Sequence, residues 1–85
     1  MKHARADTLE TLEALLSGIR RLSGLTERKP GIFYFKSKAY LHFHEDPSGI
    51  FADIKLSNDE FLRYPVNTAQ EQQALLKLAQ ANRGE

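Results

Sequence analysis

Apolar and polar positions recur along this chain with two different periods, and the change of period divides it into three parts. Leu9, Leu12, Leu16 and Ile19 follow helical spacing, and Leu15 and Leu22 widen the stripe. Asp7 with Glu10 three residues later fits an N-cap and capping box. Arg20 and Arg21 suit the dipole of a helix C-terminus, and Gly24 before Leu25 suits a left-handed exit. The pattern predicts a helix over 8–23. Gly18 inside it costs up to about 1 kcal/mol against alanine, which points to close packing on a strand.

Lys29-Pro30-Gly31 ends the helical period. Ile32 to Phe35 is short and aromatic and reads as a strand. Ala39, Leu41 and Phe43 then alternate with Tyr40, His42 and His44, and Ile50, Ala52, Ile54 and Leu56 alternate with Phe51, Asp53 and Lys55. Asp46-Pro47-Ser48-Gly49 between them has the composition of a tight turn. Pairing Glu45 with Ile50 across that turn sets Phe43 opposite Ala52 and Leu41 opposite Ile54. A slip of one residue would mix the faces. The preceding connection leaves two choices: three residues, Lys36-Ser37-Lys38, put Phe33 and Phe35 inside, and a two-residue turn puts Ile32 and Tyr34 inside. Strands are predicted over 31–36, 39–45 and 50–56. A fourth near 61–66 is restricted to a sheet edge by Pro65. Ser57-Asn58-Asp59 reads as a loop. Thr68 with Glu71 makes a second capping box, and Leu75, Leu76, Leu78 and Ala79 give an apolar side to a helix over 69–82, with Gly84 ending it or lying in a tail.

This order predicts an α+β two-layer sandwich. It comprises an N-terminal helix, a three- or four-stranded antiparallel meander and a C-terminal helix, with both helices on the face of Leu41, Phe43, Ala52 and Ile54. At 85 residues the chain reads as one domain, 1–85. The absence of cysteine excludes a disulfide framework, a cysteine zinc site and a catalytic thiol. No apolar run approaches the ~20 residues of a spanning helix, and Met1–Asp7 lacks the apolar stretch of a signal peptide. The expectation is a cytoplasmic protein without membrane contact. A net charge of +1 argues against a dedicated nucleic-acid binder. No P-loop, dinucleotide fingerprint, nucleophile elbow or zincin motif is present, so no cofactor is expected.

The chemistry concentrates on the second face of the sheet, with Tyr40, His42, His44, Phe51, Asp53 and Lys55. The register sets His42 directly opposite Asp53 and His44 diagonal to it. Two imidazoles and a carboxylate suit a divalent metal, and a His–Asp pair can poise a general base. No further polar groups complete an active site. The leading expectation is therefore a non-catalytic binding or interaction module, with a small ligand or a second copy of the chain on this face. The alternative is a small metal-dependent or acid–base enzyme at His42, His44 and Asp53. A third class, a nucleic-acid accessory protein, would use Arg20, Arg21, Arg28 and Lys29.

The segment Lys29–Asp53 carries a Pro-Gly start, an aromatic strand, Leu-His-Phe-His-Glu-Asp-Pro and an Ala-Asp pair. On these it resembles a group of small uncharacterised bacterial proteins, which implies a bacterial cytoplasmic domain and carries no activity with it. The order helix, antiparallel strands, helix is also similar to YjbR-like and frataxin-like domains in architecture. Iron binding in frataxins rests on a dense acidic ridge, which this chain largely lacks.

Overall fold

The computed structural model describes residues 2–3, 6–56 and 60–82. Strand β1 (Lys2–His3) leads to helices α1 (Ala6–Glu10) and α2 (Glu13–Arg20). Strands β2 (Leu25–Lys29), β3 (Ile32–Phe35), β4 (Lys38–Asp46), β5 (Gly49–Lys55) and β6 (Phe61–Pro65) follow, and helix α3 (Ala69–Asn82) closes the fold. The architecture is α+β. The antiparallel sheet runs β2-β3-β4-β5-β6, and β1 pairs with β4 beyond the end of β3, His3 opposite His44. The loop expected at Ser57–Asp59 and the end at Gly84 lie outside the described residues.

The central hairpin forms in the register that the alternation requires. Glu45 pairs with Ile50, Phe43 with Ala52, His42 with Asp53 and Leu41 with Ile54. Asp46 closes the two-residue Pro47-Ser48 turn by accepting a hydrogen bond from the Ser48 amide at 2.8 Å. Pro65 sits on β6, an edge strand, as its missing N–H demands. At the start of α3 the capping box is reciprocal: the Glu71 amide donates to Thr68 Oγ1, and Glu71 Oε1 accepts from the Thr68 amide, each at 3.1 Å.

Four features correct the sequence-based expectations. Among the described residues the sheet has six strands rather than three or four, because Leu25–Lys29 forms an edge strand and Lys2–His3 adds a short strand against β4. An edge strand with one face in water can be mostly charged, so Leu-Thr-Glu-Arg-Lys lacks a strand's usual apolar signature. The N-terminal helix is broken at Thr11–Leu12, and it starts at Ala6, so Asp7 is inside the first turn rather than at the N-cap. The Thr11 hydroxyl donates to the Thr8 carbonyl at 2.7 Å, and the Thr11 and Leu12 amides bond three residues back. Such local bonds compete with the α-helical ladder. Gly18 packs not on a strand but on α3, where a Cβ would stand 2.7 Å from Leu76 Cδ2.

The fourth correction concerns Tyr40. Phe35 pairs with Lys38 around a two-residue turn in which Lys36 and Ser37 both have positive φ (52° and 68°), the sign a type I′ turn requires. Tyr34 then pairs with Ala39 but Phe33 with Leu41, which leaves Tyr40 as the extra residue of a bulge. The bulge shifts the alternation by one. It returns Phe33 to the core despite the short turn and carries Tyr40 to the helix side, where it is 5% exposed and its hydroxyl donates to Asn82 Oδ1 at 2.9 Å.

The core joins Leu9, Leu12, Leu16 and Ile19 to Phe33, Leu41, Phe43, Ala52 and Ile54, and to Val66, Leu75 and Ala79. Each large side chain buried here contributes about 1.5–3 kcal/mol. Among the described residues no helix is long and apolar enough to cross a membrane.

Candidate functional site

The face of the sheet turned away from this core carries the titratable cluster. His42 and His44 are two apart on β4 and so share a face, and Asp53 reaches the same face from β5 as the register partner of His42. Both central groups are withdrawn from water: Asp53 is 7% exposed and His44 9%. His42 stands directly opposite Asp53, as the alternation requires, and the diagonal residue reaches the carboxylate as well, His44 Nε2 lying 3.1 Å from Asp53 Oδ2.

The carboxylate is also held by a residue that the sequence did not single out. Arg63 on β6 pairs with Asp53 across the ladder. Its Nε donates to Oδ1 at 2.7 Å and its second guanidinium nitrogen to Oδ2 at 2.8 Å, a two-pronged clamp. Arg63 holds the Asp53 carboxyl below its usual range, against the opposing effect of burial, and the two histidines add smaller pulls in the same direction. Asp53 is an anion throughout the neutral range. The signal for Arg63 was the alternation Phe61, Arg63, Pro65 on a strand flanking β5.

Aromatic rings complete the surface. The His42 ring meets His44 edge-on at 4.5 Å and Phe61 at 4.9 Å between centroids. Lys55 Nζ lies 5.1 Å above the Phe61 ring. Phe51, half-buried, pairs with His44 on one side and Pro65 on the other. Of the six residues expected on this face, His42, His44, Phe51, Asp53 and Lys55 are there, and Tyr40 is not.

Beside the cluster, Arg28, Lys29, Ile32, Tyr34, Ala39 and His42 line a groove of about 450 Å³. The Arg28 guanidinium sits 4.6 Å above the Tyr34 ring, a cation–π contact that fixes its position. No carboxylate lines the groove among the described residues. Glu27, the neighbouring acid, is engaged elsewhere: it accepts hydrogen bonds from Arg20 at 2.6 and 3.1 Å and from the Gly31 amide at 2.9 Å. The sequence places Arg28 and Lys29 close to Arg20 and Arg21, but they do not form one basic patch. The strand β2 separates them, sending Arg28 to this face while Arg20 pairs with Glu27.

The cluster has the residue types of a metal site, since one nitrogen from each histidine and one Asp53 oxygen all lie within 4.8 Å of one another. Compared with protein-family models, curated proteins and solved structures, the chain matches none, so its function is read from these residues alone.

Proposed function

We propose that the protein is a non-catalytic binding module that takes a small anionic ligand with a planar or apolar body in the groove beside His42. The observation that carries this reading is the lining: two cations, an aromatic floor and a histidine wall around about 450 Å³, within the ~300–1,000 Å³ range of small-molecule sites. Arg28 and Lys29 offer donors to a phosphate or carboxylate. Ile32, Tyr34 and Ala39 offer apolar contact to the rest of the ligand.

Two features disfavour a second copy of the chain as occupant. Among the described residues, Arg28, Lys29, Lys55 and Arg63 on this face outnumber Asp53, so a two-fold pairing would bring like charges together. Phe61, 39% exposed, is the face's one large exposed apolar side chain among the described residues, too little to form the apolar centre of a stable interface.

Calorimetric titration tests the reading with three probes: adenosine 5′-monophosphate, adenosine and inorganic phosphate. The monophosphate should bind saturably and more tightly than either part. Arg28→Ala and Tyr34→Ala should each weaken it about tenfold, the value of one charge-assisted or stacking contact. No saturable binding of any probe at millimolar concentration, or unchanged binding in Arg28→Ala, overturns it.

A further inference from the structure

The same face carries a second arrangement that does not depend on the groove's anion. We propose that His42, His44 and Asp53 form a binding site for one divalent transition-metal ion of the zinc type. Nitrogen and carboxylate donors in this proportion match zinc's ligand preferences. A tetrahedral ion with ligands at about 2.0–2.1 Å spaces its donors about 3.3 Å apart. His44 Nε2 and Asp53 Oδ2 already stand at 3.1 Å. No two donors of the triad are more than 4.8 Å apart, so the third donor needs to close by at most about 1.5 Å to reach that tetrahedral spacing. A side-chain rotation supplies that distance without moving the strands.

Placement on paired central strands is what a metal site requires. The backbones of β4 and β5 are fixed on both sides by neighbouring strands, so the three residues are oriented before the ion arrives. Arg63 is the competitor, because its guanidinium occupies both carboxylate oxygens. Its side chain is 49% exposed on the sheet edge, so it can release one oxygen to the ion and remain solvated. Three protein donors leave a coordination position open to solvent or to an incoming anion.

Zinc titration of the full chain, read by competition with a chromophoric chelator, tests the site with the metal alone. One zinc per chain should bind. His42→Ala and His44→Ala should each weaken it by about tenfold or more, as loss of one of three ligands requires. Arg63→Gln should tighten it, since the competing cation is gone. If Asp53 were only the partner of Arg63 in a structural ion pair, Arg63→Gln would give no gain. Circular dichroism checks that each variant is folded. Where one is not, histidine ring ¹⁵N shifts of the wild-type protein decide: zinc-induced shifts at both His42 and His44 support the site. Absence of binding, binding kept in both histidine variants, or shifts confined to His3 overturns it.

Discussion

Replacing Gly49 with alanine tests the device that sets the register of the site. Gly49 closes the β4–β5 turn opposite Asp46 at φ +139°, a conformation that L side chains rarely adopt. A Cβ there would also stand 2.7 Å from Asn67 Oδ1 and 3.0 Å from Asn67 Nδ2. Asn67 is not free to withdraw. Its Oδ1 accepts from the Ile50 amide at 2.8 Å, its Nδ2 donates to the Ile50 carbonyl at 3.3 Å, and its own amide donates to Glu71 at 2.8 Å. The backbone strain costs about 1–2 kcal/mol, and losing the two exposed side-chain bonds adds about 1 kcal/mol. A total of about 2–3 kcal/mol lowers the melting temperature of a domain this size by roughly 10–20 °C. Asn67→Ala removes only the bonds, at a cost of about 1 kcal/mol. The double variant should therefore be about 1 kcal/mol more stable than the two single costs added together. Thermal and urea unfolding followed by circular dichroism measures all three. Gly49→Ala melting within a few degrees of wild type, or strict additivity with Asn67→Ala, would refute the reasoning.

Two other outcomes follow from the fold. Tyr40→Phe should lose the bond to Asn82 and about 0.5–1.5 kcal/mol of stability, non-additively with Asn82→Ala, while zinc and nucleotide binding stay unchanged; a binding defect would return Tyr40 to the other face. Asp53 and Glu27 have carboxyl pKa values held below their usual 3.8 and 4.5, each chiefly by an arginine hydrogen bond. A folded value below the unfolded one means the stabilisation is present above the unfolded value and is lost as pH falls through the folded one. Urea midpoints should therefore drop as the pH falls below about 4, and less steeply in Asp53→Asn; equal slopes in the two proteins would contradict the Arg63 clamp.

The parts of the fold legible in the sequence are those where two local signals coincide. At the β4–β5 hairpin the turn composition and the alternation give one register. At Thr68–Glu71 the capping pair precedes an apolar stripe. The bulge at Tyr40 was not legible, because alternation is read by assuming one residue per position on each strand, and a bulge breaks that assumption without changing composition. Strand β2 escaped because an edge strand needs little apolar surface. The break at Leu12 leaves the apolar spacing of Leu9, Leu12 and Leu16 intact, so periodicity does not reveal it. Arg63 is ten residues from Asp53, and the pair becomes visible only once β6 is aligned on β5. The contact of the diagonal His44 with Asp53 depends on side-chain direction, which register alone does not set.

Whether ligands meet this protein on the face away from its helices is measured most directly by a ¹H–¹⁵N correlation spectrum titrated with adenosine 5′-monophosphate. The lining of the groove predicts saturable shifts centred on Arg28, Lys29, Tyr34, Ala39 and His42, with α2 and α3 unaffected. Shifts confined to α2 and α3, or a spectrum unchanged at millimolar nucleotide, would contradict a binding site on that face.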